Sequence, residues 1–201
     1  DQSYVLWGLS QDCLKRTIFP MGKFHKKDIK KMALERGYVE LANKSESYEI
    51  CFIPDNDYRG FLKRRIEGLE ETVKGGNFIN VSGEIVGSHQ GYPFYTIGQR
   101  KLGVSLGNQP TYVVGISPED NTVTVGTKED LQEIEMFVRD VNLVKYDVIP
   151  DGMHATTKIR YKHQGTESVL SNSNGDIKVL FYNKVEGIAP GQSAVFYEGD
   201  D

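Results

Sequence analysis

From about residue 75 onward the chain is written as short β-type runs punctuated by tight turns, and this pattern limits its fold more than any other feature. "NFINVSGEIVGSH" holds two apolar runs around Ser82-Gly83, a hairpin signal. "TYVVGISPEDNTVTVG" repeats the arrangement, with Val113-Val114 and Val123-Thr124-Val125 flanking a turn of Pro118, Glu119, Asp120 and Asn121. "HATTKIRYKHQ", "TESVLSN", "DIKVLFYN" and "QSAVFYEGD" continue it to the end. Runs this short, closed by turns rich in the chain's 21 glycines, point to small β-barrels.

The first third reads differently. Gln2 to Leu9 is a short helical candidate, and Ser10 suits the cap of a following turn. In His25 to Arg36, Ile29, Met32 and Ala33 recur at helical spacing and Gly37 stands where a C-terminal cap belongs. Asn56 to Ile66 predicts a second, basic helix. The composition shifts near residues 67–77 and again near 130–138. The expected organisation is therefore α+β: a helical segment over 1–66, a small central β domain over 67–132, and an antiparallel β-barrel over 133–201.

No apolar stretch approaches the roughly 20 residues that span a membrane. Asp1-Gln2-Ser3-Tyr4 does not read as a secretory signal, and the chain starts without Met, so a fragment is expected. The only cysteines are Cys13 and Cys51, which favours a reducing, cytoplasmic setting over a disulfide framework. The net charge of −4 is unevenly spread. Residues 13–36 hold eight Lys/Arg against Asp28 and Glu35, and Arg59, Lys63, Arg64 and Arg65 follow. A basic first third suits a polyanion, although solvated helix faces give the same pattern.

His25, His89, His154 and His163 stand at no metal-ligand spacing, so no metal is expected. Glycine-rich phosphate loops and a serine-nucleophile elbow are also absent from the sequence. Two features remain. Cys51, in Ile50-Cys51-Phe52-Ile53, is either a packed small hydrophobe or a nucleophile at a rigid strand end. Gln99, Arg100 and Lys101, in a glycine-rich stretch with Tyr92, Phe94 and Tyr95, offer donors to phosphate or base edges, or form a solvated basic turn. Cys13, in "SQDCLKR", reads as a packing residue on a helix.

"DQSY" at 1–4, "FPMGKFHKKDIKKMA" at 19–33, "ICFIP" at 50–54, "GEIVGSHQGYPFYTIGQRKLG" at 83–103, "PTYVVGI" at 110–116, "KIRYKHQ" at 158–164 and "APGQSAVFYEGD" at 189–200 follow in order. Together they resemble the tRNA-specific 2-thiouridylase family (MnmA, also called TrmU) along essentially the whole chain. The resemblance implies that residues 1–66 are the tail of an α/β nucleotide-binding domain and that ATP is bound by an N-terminal part not included here. It implies that Cys51 carries a persulfide, received from a sulfur-relay protein, to C2 of an ATP-activated wobble uridine. It further implies tRNA contacts at Asp1, Gln2, Arg160, Tyr161 and Gln192, to which Gln99, Arg100 and Lys101 are added on their donor chemistry. The second catalytic cysteine of the family has no counterpart, since Cys13 does not occupy its position. Glu46-Ser47-Tyr48-Glu49 stands where the family favours Asp-Ser-x-Gly, and the chain stops after Gly199-Asp200-Asp201, before the glycine-rich strand that usually closes the family's barrel, so a truncated barrel is expected. The chain alone is therefore expected to be inactive. One alternative is a non-catalytic RNA-binding β-barrel module with Cys51 packed. Another is a cysteine hydrolase with His89 as base.

Overall fold

The computed structural model describes residues 3–44, 52, 53, 55 and 57–199. The described chain is α+β, as expected, and falls into two compact units, Ser10–Arg65 and a larger one formed by the N-terminal stretch to Leu9 together with everything from Ile66.

The smaller unit is helical. Helix α1 (Gln11–Arg16) starts at Ser10, whose hydroxyl accepts from the Cys13 N–H at 3.3 Å and satisfies one orphan donor of the first turn. None of its residues is buried, and Cys13 is an exposed free thiol rather than the packing residue expected; a six-residue helix with no buried face gives it nothing to pack against. Helix α2 (Lys26–Glu35) ends as its sequence predicts. Gly37 takes φ +82° and donates to Leu34, while Tyr38 donates to Ala33, a Schellman closure. Helices α3 (Val39–Asn43) and α4 (Tyr58–Arg65) complete the unit, with Ala42 and Ile53 buried and Phe52 against Phe61 at 5.5 Å.

In the larger unit, Ser3–Leu6 forms a 3₁₀ turn and α5 (Leu69–Thr72) leads into a four-stranded sheet. Its strands are β1 (Gly76–Asn80), β2 (Ile85–His89), β3 (Tyr112–Ser117) and β4 (Thr122–Gly126), ordered β2-β1-β4-β3. The two sequence-predicted hairpins are β1–β2 and β3–β4. They join through a parallel pairing of β1 with β4, in which Phe78 faces Val123 and Asn80 faces Val125. Phe78, Val113, Val123 and Val125 form its core. Asn121 staples the arrangement: its amide donates to the Val73 carbonyl at 2.7 Å and its side-chain oxygen accepts from the Tyr92 N–H at 3.2 Å.

The second sheet contains β5 (Gln132–Val138), β6 (Met153–Lys158), β7 (Thr166–Ser173), β8 (Asp176–Glu186) and β9 (Val195–Tyr197), all antiparallel, in the order β5-β8-β7-β6-β9. Strand β8 shows the period-2 pattern that drives it: Ile177, Val179 and Phe181 are buried while Leu180 and Tyr182 face out. Thr157 and Ser168 are the buried polar exceptions. They satisfy each other at 2.7 Å, and Ser168 also donates to the Ala155 carbonyl. The strands are those of the expected truncated barrel, and among the described residues β5 and β9 are its edges, so the sheet is open. With three residues, β9 offers β6 only three pairs.

Candidate nucleic-acid interface

The segment after β6 is built to project charge. Ile159 is buried and anchors it, and the His163 N–H closes a turn onto the Arg160 carbonyl at 3.0 Å. Arg160, Tyr161 and Lys162 are thereby held outward. The Arg160 guanidinium donates to the Glu186 carbonyl at 3.4 Å. It lies 3.2 Å from where a Cβ at Gly187 would sit, so glycine there lets the side chain lie flat on the end of β8. Burial, then the nearby Arg160 charge, and more weakly Lys158, hold His163 below its usual pKa, against a hydrogen bond that the imidazole donates to the Thr157 backbone.

The segment before β9 turns at Ala189–Gln192. Pro190 and Gly191 (φ +84°) occupy its centre and the Gln192 N–H returns to the Ala189 carbonyl at 3.2 Å, the arrangement of a type II turn. Gln192 is exposed at its end.

The Ser3–Leu6 turn meets both segments. The Tyr4 hydroxyl donates to the Ser193 carbonyl at 2.5 Å, and the Tyr4 ring meets Tyr161 edge-on with centroids 6.4 Å apart. Ser3 Oγ lies 2.9 Å from the Tyr197 hydroxyl, and Lys158 Nζ stands 4.7 Å above the Tyr197 ring. Glu198 accepts from Lys145 Nζ at 2.5 Å and the Tyr146 hydroxyl at 2.6 Å. Asn142 ties down the rest of the N-terminal stretch by donating to the Trp7 and Leu9 carbonyls at 2.6 and 3.0 Å. Partial burial, with Tyr197 adding to it, raises the Tyr4 pKa, so its phenol stays a donor well into alkali. The result is a cluster in which Tyr4 meets Tyr161 and Lys158 stands over Tyr197, with exposed Arg160 and Lys162 flanking Tyr161 in sequence. Cationic groups and aromatic rings side by side are what a flexible nucleic-acid strand needs, charge for its phosphates and π-faces for its bases.

The structure thus brings Arg160, Tyr161 and Gln192 together, and it adds Tyr4, Lys158 and Tyr197, which the sequence reading had not singled out. Their signal was weak: Tyr4 and Tyr197 look like ordinary aromatics until a turn 189 or more positions away arrives beside them. Asp1, Gln2 and Cys51 lie outside the described residues.

Gln99, Arg100 and Lys101 sit in a loop of the first sheet. Gln99 is turned into the loop, its side-chain oxygen accepting from the Thr96 N–H at 3.1 Å while its backbone pairs with Val113. Arg100 lies 5.3 Å over the Tyr112 ring. Lys101 is exposed and takes φ +58°, a conformation uncommon for a residue with a Cβ. His89, the base of the hydrolase alternative, is only 7% exposed. Its Nδ1 accepts from the Gly91 N–H at 3.0 Å, and its ring packs on Phe78 and Tyr95, which makes it a core element. Burial holds its pKa below the usual value, with the Asn77 backbone acting weakly the other way. Among the described residues no group of His, Cys, Asp and Glu is arranged to hold a metal ion, and no helix is long and apolar enough to cross a membrane.

Three family models match consecutive stretches of the chain. They are described as the tRNA methyl transferase HUP domain (residues 1–55), the tRNA methyl transferase PRC-barrel domain (59–127) and the Aminomethyltransferase beta-barrel domain (133–201). Among known proteins, the tRNA-specific 2-thiouridylase MnmA of Cytophaga hutchinsonii is 54% identical over 203 residues, covering 100% of this chain and 55% of the relative. The proteins of the same name from Salinibacter ruber and Carboxydothermus hydrogenoformans are 50% and 44% identical, again over 100% of this chain and 53% and 54% of their own length. The chain spans about half the length of the curated relatives it matches. Its matched domains, their order and this identity along every part of it mean that the chain belongs to the tRNA-specific 2-thiouridylase (MnmA) family.

Proposed function

We propose that this chain is the C-terminal portion of a tRNA-uridine 2-sulfurtransferase, divided into a catalytic remainder (1–66), a central β domain (67–132) and a β domain (133–201) that grips tRNA. The observation that supports the tRNA role is that Tyr4 meets both Tyr161, the neighbour of Arg160, and Ser193, the neighbour of Gln192, while Lys158 stands over the Tyr197 ring. Arg160 takes a phosphate through its fork, and Tyr161 offers an exposed ring to an unpaired base. Asp1 and Gln2 add tRNA contacts, as the family resemblance implies, and Arg100 and Lys101 supply further cations elsewhere on the RNA.

In this reading Cys51 is the sulfur carrier. A persulfide on Cys51, loaded by a sulfur-relay protein in the cytoplasm, gives its outer sulfur to C2 of the wobble uridine. The C2 oxygen leaves as the adenylate formed with ATP, and the thiol of a second cysteine completes the release by forming a disulfide with Cys51. ATP would be held by the part of the HUP domain outside these residues, and it supplies activation of the leaving oxygen. What these residues do is hold the RNA. A wobble base has to be drawn out of its loop before C2 can be reached, so a clamp made of charge and aromatic surface serves the chemistry directly.

The test is sulfur incorporation by the full-length enzyme given ATP, a persulfide donor and unmodified tRNA, read by mass spectrometry of the digested tRNA. Wild type should replace one uridine oxygen by sulfur, and Cys51→Ser should abolish this while still binding tRNA. Thiolation retained by Cys51→Ser would remove Cys51 from its role. Binding without thiolation in wild type would favour a non-catalytic RNA-binding module.

A further inference from the structure

Two exposed loops carry the RNA-contacting residues. One presents Arg160 and Tyr161 after β6, and the other presents Gln192 before β9. Each is closed by its own local turn bond, His163 to Arg160 in the first and Gln192 to Ala189 in the second. The Lys158–Val195 pair joins the roots of the loops, and neither local bond sets the distance between their outer parts. Tyr4 touches both: its ring edge meets Tyr161, and its hydroxyl reaches the carbonyl of Ser193, the residue after Gln192. The two contacts use opposite parts of one rigid side chain, so the phenol acts as a spacer of fixed length. Its own backbone belongs to the stretch that Ser3 and Asn142 fasten, through Tyr197 on one side and Trp7 and Leu9 on the other.

We propose that Tyr4 is a positioning residue that fixes the Gln192 turn relative to the Arg160–Tyr161 loop, so that a single RNA strand engages both. This rests on the RNA-binding reading above and adds the contact that sets the outer parts of two loops whose roots the β6–β9 pairing already joins. Tyr4 itself needs no contact with RNA. A binding surface gains affinity when its parts are pre-set, because the ordering cost is met before the ligand arrives.

The variant Tyr4→Phe separates the two contacts, since it keeps the ring against Tyr161 and removes only the bond to Ser193. The measurement is affinity of the full-length protein for an unmodified tRNA transcript carrying a wobble uridine, at one fixed salt concentration. Tyr4→Phe should weaken binding by about three- to tenfold, the range expected for one lost hydrogen bond. Arg160→Ala and Gln192→Ala should each weaken binding in the wild-type background. In the Tyr4→Phe background Arg160→Ala should retain its full effect, while Gln192→Ala should cost less than about twofold more, because the turn it sits on is already adrift. Backbone amide exchange should quicken at Gln192 in Tyr4→Phe and stay unchanged at His163, a pattern that general loosening of the fold would not produce.

Wild-type affinity in Tyr4→Phe, or a Gln192→Ala effect that is fully additive with it, overturns the positioning role. If Arg160→Ala and Gln192→Ala are both silent in the wild-type background, the RNA-binding reading itself fails and the proposal goes with it.

Discussion

Ser3 Oγ and the Tyr197 hydroxyl lie 2.9 Å apart although 194 positions separate them in the chain. The same Tyr197 ring carries the Lys158 ammonium 4.7 Å above it. A residue near the start of the chain is thus part of a surface whose charge comes from the far end of a β sheet. That surface exists only once the sheet has formed, because β9 reaches β6 through just three residue pairs.

Gly76 marks the tightest point of the first sheet. A Cβ there would stand 2.1 Å from His89 Cε1 and 2.5 Å from the Asn121 carbonyl oxygen. The backbone on one side cannot yield, and the His89 ring on the other is packed on Phe78 and Tyr95. Gly76→Ala should destabilise the protein by about 3 kcal/mol, the upper part of the overpacking range. Urea unfolding checks this, and a loss below about 1 kcal/mol would mean the strand shifts freely.

Lys101 pays a conformational cost at φ +58° that glycine would not. Lys101→Gly should therefore raise stability by about 0.5–1 kcal/mol, and Lys101→Ile should lower it. If Lys101 also contacts phosphate, Lys101→Gly will bind tRNA less tightly despite being more stable. Thermal unfolding and tRNA binding measured on the same samples separate the two effects.

His89 and His163 both have pKa values lowered from the usual 6.5, His89 by burial and His163 by burial and then Arg160. The unfolded chain then binds protons that the folded one resists. Their contribution to stability is complete above about pH 6.5 and is lost as pH falls through that value toward the lowered ones. His89→Asn keeps an acceptor for the Gly91 N–H and should flatten the fall. Arg160→Ala should flatten it less, by relieving only part of the depression at His163. Urea unfolding at several pH values from about 7 to about 5.5 gives the slope, and stability that rises on acidification would contradict the assignment.

Helices α1, α2 and α4, the hairpins and the strand alternation were legible because their causes are local, whereas the short helices α3 and α5 were not foreseen. Ser10, Gly37 and the alternation in β8 act within a few residues of themselves. Strand β5 was missed: Gln132, Glu133, Ile134 and Glu135 read as polar chain because an edge strand exposes much of itself. The parallel pairing of β1 with β4 was also hidden, since two good hairpins say nothing about how they meet. Arg160, Tyr161 and Gln192 were proposed as contacts through their motifs. Tyr4, Lys158 and Tyr197 were not, because their importance lies in contacts across the whole length of the chain.

The most direct measurement is the salt dependence of tRNA affinity for the full-length protein, wild type against the Arg160→Ala/Tyr161→Ala double variant. With Arg160 on a phosphate and Tyr161 on a base, the double variant should bind at least about tenfold more weakly, and the slope of log affinity against log salt should shrink by about 1. Equal affinity and an equal slope would mean that this face does not hold tRNA.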